Sequence, residues 1–111
     1  MKTSSAKAKG RKLQDHVKTE LLKKFKSLEE DDIKSAIMGE TGEDIKLSPA
    51  AKRKIPYSFE CKNQERLNLW ASLLQAEENS DKRTPVLVFK RNRSKVYATI
   101  EFSKFIKLIG K

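Results

Sequence analysis

Residues 56–63, Pro56-Tyr57-Ser58-Phe59-Glu60-Cys61-Lys62-Asn63, decide how this chain is read. Tyr57, Phe59 and Cys61 alternate with Ser58, Glu60 and Lys62, the two-residue period of a strand with one apolar and one polar face. Downstream, Leu67, Trp70, Ala71 and Leu74 recur at helical spacing, which predicts a helix over 65–79 with those four as its buried stripe. Pro85-Val86-Leu87-Val88-Phe89 is then a continuous apolar run of strand length, as expected for a strand covered on both faces. Strand, helix and strand in that order predict a crossover that leaves the 57–62 and 85–89 strands as parallel neighbours.

Working outward, Leu13, Val17, Leu21, Phe25 and Leu28 lie three and four apart and predict a helix from Arg11 to Leu28. Residues 1–9 are small and basic without apolar periodicity; they are expected to form a flexible basic arm, leaving 10–111 as one domain. Ile33 to Met38 is a short mixed run, followed by the turn 39–42 and by Asp44-Ile45-Lys46-Leu47, with Ile45 and Leu47 on one face and Asp44 and Lys46 on the other. The segment from Ser48 to Pro56 is a basic connection. Val96 to Phe102 alternates again, and Ser103 is placed to cap a last short helix carrying Phe105, Ile106 and Ile109. The order α-β-β-β-α-β-β-α predicts an α/β fold, a mixed sheet flanked by helices.

Composition narrows the function. Lys and Arg number 25 against 15 Asp and Glu, a net charge of +10, so a polyanion is the first partner to consider. A single cysteine excludes an internal disulfide framework, and one Cys with one His argues against a structural zinc site. No apolar run approaches the ~20 residues of a membrane span, and the start lacks the apolar stretch of a signal peptide, so no membrane partner and an intracellular, cytoplasmic setting are expected. There is no phosphate-binding glycine loop ending in Lys-Ser/Thr. His16 reads as a solvated helical residue and Cys61 as a core thiol.

What remains is acidic chemistry. If the strands carrying Asp44 and Glu60 pair as a hairpin, their carboxylates converge at one end of the sheet, where they could hold Mg²⁺, a hard ion that takes oxygen ligands. Lys62, beside them, could stabilise charge on a reacting phosphate or orient the attacking water. The acid-x-Lys triplet also occurs at Asp32-Ile33-Lys34 and Asp44-Ile45-Lys46, so Glu60 and Lys62 can equally be read as an exposed charge pair on a strand.

Gly42-Glu43-Asp44-Ile45 followed by Pro56 to Asn63 resembles the PD-(D/E)XK nuclease superfamily. It is similar in particular to small bacteriophage-encoded nucleases related to archaeal-type Holliday-junction resolvases. The resemblance runs from about Gly10 to Ile109 and includes Trp70 to Asn79 and the Pro85–Asn92 strand and turn. It implies a restriction-endonuclease-like α-β-β-β-α-β core and a Mg²⁺-dependent endonuclease, with Mn²⁺ able to substitute, that hydrolyses phosphodiester bonds in branched DNA. A flap, single-strand or nicked-DNA nuclease, or a noncatalytic nucleic-acid-binding module, are the alternatives. Asp44, Glu60 and the backbone carbonyl of Cys61 would hold the metal, and Lys62 would be the catalytic lysine. Where the resolvases carry a first-helix glutamate this chain has Gln14, with Glu20 as the nearest acid, and Gln75 matches a helix glutamine often found near the site. Lys9, Arg11, Lys12, Lys52, Arg53, Lys54, Asn63, Arg91 and Arg93 would contact DNA. Two symmetric cuts in a junction need two sites, hence a homodimer. A phage-encoded chain of this kind would act in the host cytoplasm.

Overall fold

The computed structural model describes residues 3–37 and 39–111. Helix α1 spans Thr3–Lys24. After a 3₁₀ turn at Glu30–Asp32, strands β1 (Ile33–Ser35) and β2 (Ile45–Leu47) form an antiparallel pair. A short helix α2 (Pro49–Lys54) leads to β3 (Tyr57–Asn63), then α3 (Leu69–Asn79), β4 (Thr84–Lys90), β5 (Tyr97–Thr99) and α4 (Phe102–Ile109). The result is an α/β fold with β1–β2 as one sheet and β3–β4–β5 as a second. Met1, Lys2 and Met38 lie outside the described residues, so they bear neither on the expected arm nor on the end of the expected 33–38 run.

The crossover expected from the sequence is present. β3 and β4 pair in parallel, with Glu60 opposite Leu87 and Lys62 opposite Phe89, and β5 adds antiparallel to β4. Both faces of this sheet are covered, which is why β4 carries the continuous run Val86-Leu87-Val88. On one face, Cys61, Val86 and Val88 join Leu13 and Val17 of α1 and Ile33, Ile45, Leu47, Ala51 and Ile55 in one core. The small sheet docks on β3 through a single backbone bond: the Asp44 N–H donates to the Phe59 carbonyl at 3.0 Å. β2 is thus paired in register with β1 and only touches β3, where a β2–β3 hairpin was one expectation.

Three local expectations differ from the structure. The first helix begins at Thr3, within the stretch expected as an arm, and ends at Lys24; Ala6, Lys7, Ala8 and Lys9 are strong helix formers even without an apolar stripe. The second helix buries Ser72 and Ala76, while Trp70, Ala71 and Leu74 are exposed. Small residues let α3 lie close on β3 and β4, so its bulky residues turn outward. Finally, α4 is preceded by Glu101 as its N-cap residue, and Ser103 donates its hydroxyl to the Glu101 carboxylate (2.7 Å) from inside the first turn. No helix among the described residues is long and apolar enough to cross a membrane.

Candidate active site

Asp44 sits one residue before β2, and two contacts hold it on the edge of β3. Its N–H reaches Phe59, and its Oδ2 accepts the Cys61 N–H at 2.7 Å. In a strand the N–H and C=O of one residue point to the same side, and residues two apart share that side. The Phe59 carbonyl and the Cys61 N–H therefore mark the Asp44 side of β3. The Cys61 carbonyl points the same way, away from β4.

Glu60 lies between these two residues and turns to the other face, beneath α3. It is 2% exposed, and its Oε1 accepts a hydrogen bond from Asn79 Nδ2 at 2.9 Å. Asn79 is at the end of α3 because the helix runs back along the crossover; its carbonyl also accepts from the Ser58 hydroxyl at 3.5 Å. Burial pushes the Glu60 carboxyl up, the Asn79 bond opposes that, and the neighbouring Asp44 raises it further through its charge and a shared hydrogen bond. With a small opposing pull from Lys62, the group is pushed up to about 7. The Asp44 carboxylate thus disfavours ionisation of Glu60.

Lys62, two residues along the same face, is half-buried, close enough to act on Glu60 but without an ion pair of its own among the described residues. The Cys61 thiol is buried in the core; burial, then Asp44 and Glu60, raise its proton affinity, so it is an inert packing residue.

Gln14 and Asp44 line one cleft of about 210 Å³ with Lys7, Arg11, Ile37 and Glu40. Glu20 faces solvent two turns away, paired with Lys23 at 3.3 Å. Gln75 is exposed on α3. It precedes Asn79 by one turn, and one turn of helix matches about two residues of strand, which sets it level with Lys62 rather than Glu60.

The basic residues divide among several places. Lys9, Lys12, Asn63 and Arg93 share a cleft of about 420 Å³ with His16, Lys90 and Asn92. Asn63 donates from Nδ2 to the Lys9 carbonyl at 3.2 Å, and its buried Oδ1 has no hydrogen-bond partner among the described residues. At roughly 100° per residue, Lys7, Arg11 and Gln14 point one way from α1 and Lys9, Lys12 and His16 nearly the opposite way, with the buried Leu13 and Val17 between them. The basic cleft and the carboxyl cleft therefore flank the two sides of α1. Arg91 lines a third cleft beside Phe89 and Tyr97, and Lys52, Arg53 and Lys54 are exposed on α2.

Two partners had no role in the sequence reading. Asn79 stood at the end of a matching stretch without a local sign of its contact. Arg83 donates to the Glu43 carboxylate at 2.9 Å and to the Tyr57 carbonyl at 3.2 Å, which pins the residue before Asp44 onto β3.

Two carboxyls and the Cys61 carbonyl, which points toward them, fit a hard divalent cation that keeps several waters. Among the described residues no group of three or more His, Cys, Asp or Glu side chains is arranged to hold a metal, so carbonyl and water oxygens must complete such a site. No family model matches the chain, and neither the curated proteins nor the solved structures searched contain a match.

Proposed function

We propose that this protein is a Mg²⁺-dependent DNA endonuclease with a restriction-endonuclease-like core, and that its substrate is branched DNA, with four-way junctions first. The observation that carries the reading is the Asp44–Glu60 carboxyl pair. Asp44 is anchored on the Cys61 N–H and Glu60 is buried and held by Asn79, although burying a carboxyl beside another acid costs stability. Side chains held against that cost support reading the pair as a functional site. The choice of branched DNA rests on the resemblance carried by residues 42–45 and 56–63.

Asp44, Glu60 and the Cys61 carbonyl would hold the cation, which when bound supplies positive charge to a phosphate. The chain's own residues do the rest. Asn79 fixes the Glu60 carboxyl in one rotamer. Lys62 presents an ammonium to the negative charge on the phosphoryl oxygens as water adds to phosphorus and the bond to the leaving sugar oxygen breaks. Gln14, from the first helix, lacks the charge of an acid but can accept a hydrogen bond from water in the Asp44 cleft. Lys7 and Arg11 beside it hold the phosphate backbone.

Labelled duplex, single-strand, flap and four-way-junction DNA, each incubated with and without Mg²⁺, test the reading. Cation-dependent cleavage of the junction is expected. DNA binding without cleavage of any of the four would leave a noncatalytic binding module, and preference for flaps or single strands would move the substrate.

A further inference from the structure

We propose that the cleft between the end of β4, the turn after it and the start of α3 takes an unstacked base of the bound DNA strand, beside the phosphate at Lys62. That the occupant is DNA rests on the proposed function; that it is a base rests on the cleft itself. Residues paired across neighbouring strands project to one face of a sheet. Lys62 is paired with Phe89, and Phe89 with Tyr97, so the three form a row across β3, β4 and β5. Lys62 and Glu60 are two residues apart on β3, so this row shares the face that carries Glu60. Its far end is open: Tyr97 is 54% exposed and Phe89 half-buried. Their rings lie 6.2 Å apart, tilted by 31°, and with Leu67 and Leu69 they line a cleft of about 290 Å³.

Size and charge choose the occupant. Clefts that enclose whole small ligands begin at ~300 Å³, so this one suits a flat ring system whose sugar and phosphate stay outside. Lys90 and Arg91 line the same cleft and place two cations where the phosphates flanking such a base run. An aromatic platform beside cations binds unpaired bases of any sequence, because every base has a π face. Glu65 is the one acid of the lining, and its Oε2 accepts the Asn92 N–H, so it braces the basic turn. Two strand spacings separate Lys62 from Tyr97, ~10 Å, which is the reach of about three stacked nucleotides at ~3.4 Å each. The substrate therefore has to offer a base free of its partner within about three nucleotides of the reacting phosphate. A branch point or a flap offers one, and an uninterrupted duplex does not.

Fluorescence anisotropy of a labelled single strand and a blunt duplex, in EDTA so that neither is cut, reads the cleft. Tyr97→Ala should weaken binding of the single strand roughly 5–150-fold, the loss of one stacked base, and binding of the duplex by less than about twofold. Tyr97→Phe keeps the platform and should bind as the parent does. Equal loss on both DNAs, or no loss on the single strand, overturns the inference. If Tyr97→Ala fails to fold, the parent alone decides, on four-way junctions from which one base at a time is removed near the branch. Affinity should drop at one position or two adjacent ones; a uniform loss, or none, overturns the inference. Binding indifferent to Tyr97 together with Mg²⁺-dependent cleavage removes the base cleft and keeps the proposed function. The expected losses without cleavage in Mg²⁺ keep the cleft and remove the nuclease reading, and a parent that binds none of these DNAs removes both.

Discussion

At the scale of single residues, the fold keeps one carboxyl protonated more readily than the unfolded chain does. Glu60 is pushed from an ordinary 4.5 to about 7, so the folded state binds more protons between those values. Stability in the presence of a chelator should therefore be highest below about pH 4.5 as far as this group is concerned. It should fall as pH rises toward about 7, by up to ~1.4 kcal/mol per pH unit. Glu60→Gln cannot ionise and should lose that slope, becoming at least as stable as the parent above pH ~8 while losing cleavage. Urea denaturation of both proteins across this range checks the point, and parallel profiles would contradict it. Asp44→Asn should likewise remove cleavage with little change in volume. Lys62→Ala should cost at least ~10²-fold in rate, as expected for one lost transition-state donor. Activity of Glu60→Gln within a few fold of the parent would sink the assignment.

At the scale of elements, the position of Asp44 depends on a clamp between the start of β2 and the loop before β4. Glu43 and Arg83 are 14% and 11% exposed and meet at 2.9 Å. Burial alone would raise the Glu43 carboxyl, but its backbone hydrogen bond, Arg83 and Lys46 together leave it lowered. A lowered acid contributes stability above its ordinary range and loses it as pH falls through the folded value, the reverse of Glu60. Arg83→Met should cost about 2–4 kcal/mol, because the carboxylate left behind is largely buried and unpaired. The variant should also show a shallower loss of stability in acid than the parent. Chemical denaturation at neutral and acidic pH measures both effects, and a cost under ~0.5 kcal/mol would show that the pair is not what holds Glu43 on β3. The same clamp helps hold the two sheets together beside the carboxyls, with the Asp44 N–H to Phe59 bond and the Cys61 N–H to Asp44 carboxylate bond.

At the scale of the whole molecule, two of the clefts lined by basic residues lie on the two sides of α1, so the net charge of +10 is not gathered in one stripe. If the two flanking clefts together neutralise six to ten phosphates, DNA affinity should fall ~10³–10⁵-fold between 50 and 200 mM salt. Lys12→Ala and Arg93→Ala, from the same cleft, should each weaken binding on all sequences alike and reduce the salt slope by about one. Fluorescence anisotropy on two unrelated sequences measures this. Loss confined to one sequence would point to base reading, and a slope unchanged in both variants would remove this cleft from the DNA path.

The sequence by itself determined the elements whose residues repeat with a clear period. The alternation through Tyr57 to Cys61 and the unbroken apolar run of Val86 to Val88 specify β3 and a doubly covered β4, and the helix between them forces the parallel pairing found. The spacing of Leu13 and Val17 likewise sets the buried side of α1. Periodicity could not say which apolar residues are covered, because a bulky stripe serves a core and an interface equally. On α3 the small Ser72 and Ala76 went inward and Trp70 outward. Nor could spacing distinguish the three acid-x-Lys triplets. Asp32 is taken up by the Ser48 hydroxyl at 2.7 Å, and Lys46 by the Thr41 carbonyl, while Glu60 alone is carried under a helix. That difference, with the contact to Asn79 19 residues away and the Arg83 clamp 40 residues from Glu43, comes from pairings distant in sequence. Only the packed sheet brings those residues together, since nothing local in the chain encodes which distant neighbour a buried polar group will find.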